Sequence, residues 1–141
     1  MATVRGCEAA LPFLERSGPG AIVLVASGAA GEVVGARRAY NSVKAALLPY
    51  AKFLARELAP KNVRCNVVSP GTIWVEGGHW SGIRERDPDR FRSALASNPM
   101  GRMGTPEEVA NAVAFLASPC ASFVSGANLL CDGARSGRVQ Y

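Results

Sequence analysis

Gly20-Ala-Ile-Val-Leu-Val-Ala-Ser27 decides the fold. Residues 21–26 form a continuous apolar run, bounded upstream by Gly18-Pro-Gly20 and downstream by Ser27-Gly28. A run this short, between chain breakers and without polar alternation, predicts a strand buried on both faces. Strands of that kind belong to parallel sheets, whose crossover helices cover both sides. Upstream, Val4, Cys7, Ala10, Leu11 and Leu14 recur at helical spacing and predict an amphipathic opening helix. Downstream, a Gly- and Ala-rich loop over 27–35 leads into a long helical pattern from about Arg38 to Leu58. Leu47, Tyr50, Ala51, Leu54 and Leu58 mark its apolar stripe, and Pro60 stops it.

Further along, Val63-Arg-Cys-Asn-Val-Val68 predicts a second strand, ended by Ser69-Pro70-Gly71. Residues 72–98 read as irregular, with a loose helix near 86–95, and carry both tryptophans, Trp74 and Trp80. Thr105 as N-cap, Pro106 at the first helical position and Glu108 two residues later predict a sharp helix start with a capping box. Val109, Val113 and Leu116 supply that helix with its apolar stripe. Ala127-Asn-Leu-Leu-Cys131 reads as a last strand, cut off by Asp132-Gly133. Helix and strand alternate three times, so the expected class is α/β with a parallel sheet, in a single domain over 1–141.

The composition narrows the function classes. Apolar residues make up 48% of the 141 and charged ones 19%, ordinary globular usage. The apolar run 21–26 is far short of the ~20 residues that cross a bilayer, and no secretory h-region opens the chain. The expectation is a soluble, cytoplasmic protein with no membrane partner. Cys7, Cys65, Cys120 and Cys131 are scattered without metal or disulfide spacing, which predicts buried reduced thiols. His79 is the only histidine, so no metal site is expected. The net charge is +5, with 13 of the 16 basic residues arginine. Arg84, Arg86, Arg90 and Arg92 alternate with Glu85, Asp87 and Asp89, which together with Arg37 and Arg38 reads as solvated surface rather than a nucleic-acid stripe.

One constellation carries chemistry. Ser27 closes the first strand, and Tyr40-Asn-Ser-Val-Lys44 opens the long helix, placing Tyr40 and Lys44 one turn apart on one face. A free phenol is a poor acid or base at neutral pH. A neighbouring ammonium favours phenolate and brings proton transfer into range. A serine hydroxyl at a strand's C-terminal end can hydrogen-bond a substrate oxygen, because ligands of open α/β sheets bind there.

These residues, in this order, resemble the C-terminal half of the short-chain dehydrogenase/reductase family. Gly20–Ser27 is similar to the family's strand ending in the catalytic serine, and Tyr40 with Lys44 matches its Tyr-x-x-x-Lys, thirteen residues later. Arg64-Cys-Asn-Val-Val-Ser-Pro-Gly71 resembles the strand and turn beside the nicotinamide. Asn98-Pro-Met-Gly-Arg102, Thr105-Pro-Glu-Glu-Val-Ala110, Phe115-Leu-Ala-Ser118, Ser125-Gly126 and Cys131-Asp-Gly133 complete the likeness, with 3-oxoacyl-carrier-protein reductases among the members it resembles.

The resemblance implies the C-terminal part of a Rossmann-type doubly wound sheet, with the first nucleotide-binding half missing. It implies a homo-oligomer, a dimer or tetramer, paired through the opening helix and the long helix. It implies hydride transfer between NAD or NADP and a carbonyl or alcohol substrate. Tyr40 would be the acid/base and a cofactor contact, Lys44 its helper and a ligand of the nicotinamide ribose, and Ser27 the group that polarises the substrate oxygen. Pro70, Gly71, Thr72 and Ile73 would line the nicotinamide, and Trp74 and Trp80 would wall the substrate pocket.

The chain departs from the family at three points. No strand leads into a Gly-rich turn and helix, since Gly18-Pro-Gly20 precedes its strand. The family's catalytic asparagine falls at or before Met1, and the threonine usual a few residues after Pro-Gly is replaced in Pro70-Gly-Thr-Ile-Trp-Val75. The second reading is a truncated, inactive chain that acts only through oligomer contacts.

Overall fold

The computed structural model describes residues 2–32 and 38–139. The end of the loop predicted over 27–35, Arg37, and the asparagine position expected at or before Met1 lie outside them. Helix α1 (Ala2–Arg16) leads to strand β1 (Gly20–Val25), and α2 (Arg38–Leu58) to β2 (Val63–Pro70). Then follow α3 (His79–Arg86), α4 (Pro88–Ala96), α5 (Pro106–Ala117) and β3 (Asn128–Cys131). The three strands form one parallel sheet in the order β1-β2-β3, with Ile22 opposite Cys65 and Val67 opposite Asn128. The class is α/β, as expected.

Adjacent residues of β2 face opposite layers, as strand geometry requires. Val67 packs with Leu54 and Leu58 of α2, Cys7 of α1 and Ile22 and Leu24 of β1. Val68 packs on the other face with Leu116 of α5 and Ala121, and Val109 and Val113 flank them. Helices therefore cover both faces of the sheet. Leu58 and Leu116 are fully buried, worth about 2 kcal/mol each relative to exposure.

Strand β1 differs from its expectation. Gly20, Ile22 and Leu24 are buried, but Ala21 and Val23 are half-buried and Val25 is 46% exposed. The strand lies at the edge of this sheet and is covered fully on one face only. The region read as irregular holds two helices. Asp87 ends α3 and caps α4, its carboxylate accepting from the Arg90 amide at 3.1 Å, with Pro88 at the first helical position. Arg84, Arg86, Arg90 and Arg92 are all exposed.

The capping box stands as read: Glu108 N donates to Thr105 Oγ1 at 3.3 Å, and Thr105 N to Glu108 Oε2 at 2.8 Å. At the other end of α5, the Arg64 guanidinium donates to the carbonyls of Leu116 and Ser118, the favourable arrangement for a cation at a helix C-terminus. Buried Asn66 bridges the approach to β3, donating to Val124 O at 2.8 Å and accepting from Ala127 N at 3.0 Å. Of the thiols expected to be buried, Cys7 and Cys65 are; Cys131 is half-buried and Cys120 is exposed on the surface turn Pro119–Ala121. Among the described residues no helix is long and apolar enough to cross a membrane.

Candidate active site

The carboxyl ends of β1 and β2 open onto one cleft of about 580 Å³. Ser27, Tyr40, Gly71, Thr72, Ile73 and Trp80 line it together. Open α/β sheets bind ligands at this edge.

Ser27 lies two residues beyond β1 with an extended backbone, and its Oγ accepts from Ala29 N at 3.2 Å, starting the short turn Gly28–Ala30. A hydroxyl that accepts here keeps its own proton to donate. Tyr40 stands in the first turn of α2 and is 45% exposed, which leaves its phenol open to a ligand. Lys44, one turn on, does not line the cleft. Its Nζ donates to Val25 O at 2.9 Å, docking α2 on the end of β1 and leaving two N–H groups for other partners.

The turn after β2 is tightly built. Pro70 ends the strand and lines a small adjoining hollow with Ser27 and Gly71. Gly71 N donates to Cys131 O at 2.9 Å, and a Cβ at Gly71 would meet Asp132 Cβ at 2.6 Å and Cα at 2.7 Å. Glycine is required there by this close approach. Thr72 is buried, and its Oγ1 accepts from Arg135 Nη1 at 3.2 Å. Ile73 forms an isolated parallel bridge with Gly104: Gly104 N donates to Thr72 O, and Trp74 N to Gly104 O. That pattern uses the neighbours' groups and leaves the Ile73 N–H and C=O facing away from Gly104, without a partner among the described residues.

A nicotinamide carboxamide needs both a donor and an acceptor, and the Ile73 peptide offers both. With the Lys44 N–H groups for ribose hydroxyls, the residues present fit the nicotinamide end of a dinucleotide.

The two tryptophans separate. Trp80, on α3, lines the cleft. Trp74, expected as a pocket wall, packs edge-on against Phe91 of α4 with ring centroids 5.8 Å apart, and the Arg84 guanidinium covers its ring at 4.6 Å. Successive side chains of an extended segment point to opposite sides, so Ile73 at the cleft turns Trp74 away from it. Sequence reasoning missed Arg90 and Arg135, which also line the cleft. A second cavity of about 220 Å³ shares Thr72 and Ile73 but none of Ser27, Tyr40 or Lys44. Both of its acids are committed internally: Asp132 accepts from the amides of Ala134 and Ser136, and Arg102 donates to Glu108 at 2.5 and 2.8 Å, which with the Thr105 amide holds the Glu108 carboxyl down to about 2.

The family model described as enoyl-(acyl carrier protein) reductase matches residues 1–134. An oxidoreductase of the short-chain dehydrogenase/reductase family from Burkholderia thailandensis superposes with a TM-score of 0.87 at 36% identity. The chain belongs to the short-chain dehydrogenase/reductase family.

Within that family it corresponds to the C-terminal portion of the fold. The Burkholderia structure covers 95% of this chain, which covers 52% of that one. An isoepoxydon dehydrogenase of Penicillium expansum is 41% identical over 135 residues, 94% of this chain and 52% of that protein. An NADPH-bound short chain oxidoreductase from Pseudomonas aeruginosa, described as containing an atypical catalytic center, matches with a TM-score of 0.85 at 32% identity, over 94% of this chain and 52% of that one. The chain thus spans about half the length of the short-chain dehydrogenase/reductase relatives it matches.

Proposed function

We propose that the protein is an NAD(P)-dependent oxidoreductase that interconverts a carbonyl and an alcohol, with this chain as its catalytic portion. The observation that carries the proposal is the convergence of Ser27, Tyr40 and the turn residues Gly71, Thr72 and Ile73 on one cleft at the carboxyl edge of the sheet. Its likeness to an NADPH-bound relative supports a nicotinamide dinucleotide as cofactor.

When bound, the nicotinamide donates or accepts the hydride. The chain handles the proton. Tyr40 passes it from the phenol Oη to the substrate oxygen in reduction and takes it back in oxidation. Ser27 donates its hydroxyl proton in a hydrogen bond to the same oxygen and draws charge toward it. Lys44 holds the ribose hydroxyls with the N–H groups not bound to Val25. The Ile73 peptide meets the carboxamide, Pro70 and Gly71 set the turn, and Thr72 links it to Arg135. The experiment is an assay of ketone reduction with NADH and with NADPH, comparing Tyr40 with Tyr40→Phe.

Self-association through α1 and α2 forms a second part of the proposal. Phe13 on α1 and Val43 and Phe53 on α2 are 66%, 65% and 73% exposed. Large apolar side chains left in water on two neighbouring helices favour pairing with a second copy.

A further inference from the structure

We propose that the substrate of this cleft carries an anionic group, in the simplest case a carboxylate, besides the carbonyl or alcohol that reacts. This assignment deepens the oxidoreductase proposal and rests on it for the reacting group.

The charge of the cleft carries the inference. Arg90 and Arg135 line it, and no Asp or Glu does so among the described residues. Three other cations of the chain sit against carboxylates: Arg92 against Asp89, Arg102 against Glu108 and Lys61 against Glu15. Arg135 differs from these. Its Nε donates to Ser97 Oγ and its Nη1 to Thr72 Oγ1, both at 3.2 Å. Both acceptors are neutral hydroxyls, so they hold the guanidinium in place without cancelling its charge. Two of its five N–H groups are used, and three remain.

The side chain of Arg90 makes no ion pair among the described residues; Asp87, three residues earlier, instead accepts from the Arg90 backbone amide. Asp132 and Glu32 line the adjoining hollow, which Arg135 also borders, rather than this cleft, and neither pairs with a cation among the described residues. Both Asp132 oxygens are already engaged, by the amides of Ala134 and Ser136.

A planar guanidinium with free N–H groups matches a carboxylate, and the bond is charge-assisted. Thr72 is part of the turn proposed to meet the nicotinamide, so Arg135 is tied to the reacting end of the site. About 580 Å³ accommodates a small substrate with both groups. Phosphates of the dinucleotide offer similar charge, and the test separates the two sources.

Acetoacetate and its neutral methyl ester serve as probes, titrated against the protein by tryptophan fluorescence, with Trp80 in the cleft wall as a reporter. The acid is expected to bind about tenfold more tightly than the ester, a difference of about 1.4 kcal/mol. Arg90→Gln and Arg135→Gln should each erode that preference at unchanged circular dichroism; the exposed Arg90 keeps the test valid if Arg135→Gln fails to fold. The assignment is overturned if acid and ester bind alike, if neither saturates, if the preference survives both substitutions, or if they weaken NADPH alone. Selective binding of the acid without turnover by NADH or NADPH would support the anion site and count against the oxidoreductase proposal. Turnover of neutral ketones in preference to keto acids would do the reverse.

Discussion

Lys44 of α2 donates from Nζ to the carbonyl oxygen of Val25, the last residue of β1, at 2.9 Å. The bond fixes the first turns of α2 against the strand that delivers Ser27, and so sets Tyr40 relative to the serine. Lys44→Met keeps most of the aliphatic stem and removes both this anchor and the N–H groups assigned to the ribose. A hydrogen bond to a charged group contributes about 1.5–3 kcal/mol, so kcat/KM should fall by at least about tenfold and the cofactor should bind more weakly. Steady-state kinetics over a range of pH check this. Unchanged cofactor affinity together with an unchanged pH profile would make Lys44 an ordinary helix lysine.

Gly71→Ala places a methyl group against the backbone of Asp132, where a Cβ lies 2.7 Å from Cα. Neither the turn nor the end of β3 can yield by rotating a side chain. The expected cost is about 1–3 kcal/mol, with weaker cofactor binding. Urea unfolding and an NADPH titration measure the two effects; wild-type values in both would refute the close approach.

Acid should loosen the start of α5. Arg102 and the Thr105 amide hold the Glu108 carboxyl down to about 2, well below its ordinary 4.5. A depressed carboxylate contributes stability above its unfolded pKa and loses it as pH falls through the folded one. The Glu108 contribution should therefore be complete at neutral pH and fade between about 4.5 and 2. Glu108→Gln should lower Tm at neutral pH and narrow its gap to wild type across that window. A gap that stays constant would contradict the assignment.

Phe53 is 73% exposed on α2, so Phe53→Glu should barely affect the fold of one copy. It buries a charge at the proposed pairing of α1 and α2, and sedimentation should show a shift toward monomer. An unchanged mass would remove this surface from the assembly.

What the sequence made legible was local. Thr105-Pro-Glu-Glu108 places a helix start to the residue because every group that satisfies the cap lies within one turn. Tyr40 and Lys44 are related by a single helix, and Ser27 by its place at a strand's end. What stayed hidden depends on distant partners. The apolar run of β1 does not reveal that Val25 stands exposed at an edge. Asp87-Pro88 does signal a helix start, but α3 has Gly78 as its N-cap, hence no side-chain cap, and only a weak apolar stripe, so the two helices blur into one loose stretch. Arg135 lies in the tail beyond the last strand and meets Thr72 across 63 positions, a pairing that no local pattern records.

The central claim is that Tyr40 moves the proton in carbonyl reduction. Its most direct test is the rate of ketone reduction at saturating NADH or NADPH, measured for the protein and for Tyr40→Phe. The substitution keeps the ring and removes only the hydroxyl, which is open to the cleft, so thermal stability should hardly change. The expected fall in kcat is about 10²–10⁴, the usual share of general acid–base catalysis. A folded Tyr40→Phe protein that reduces the ketone at the wild-type rate would contradict it.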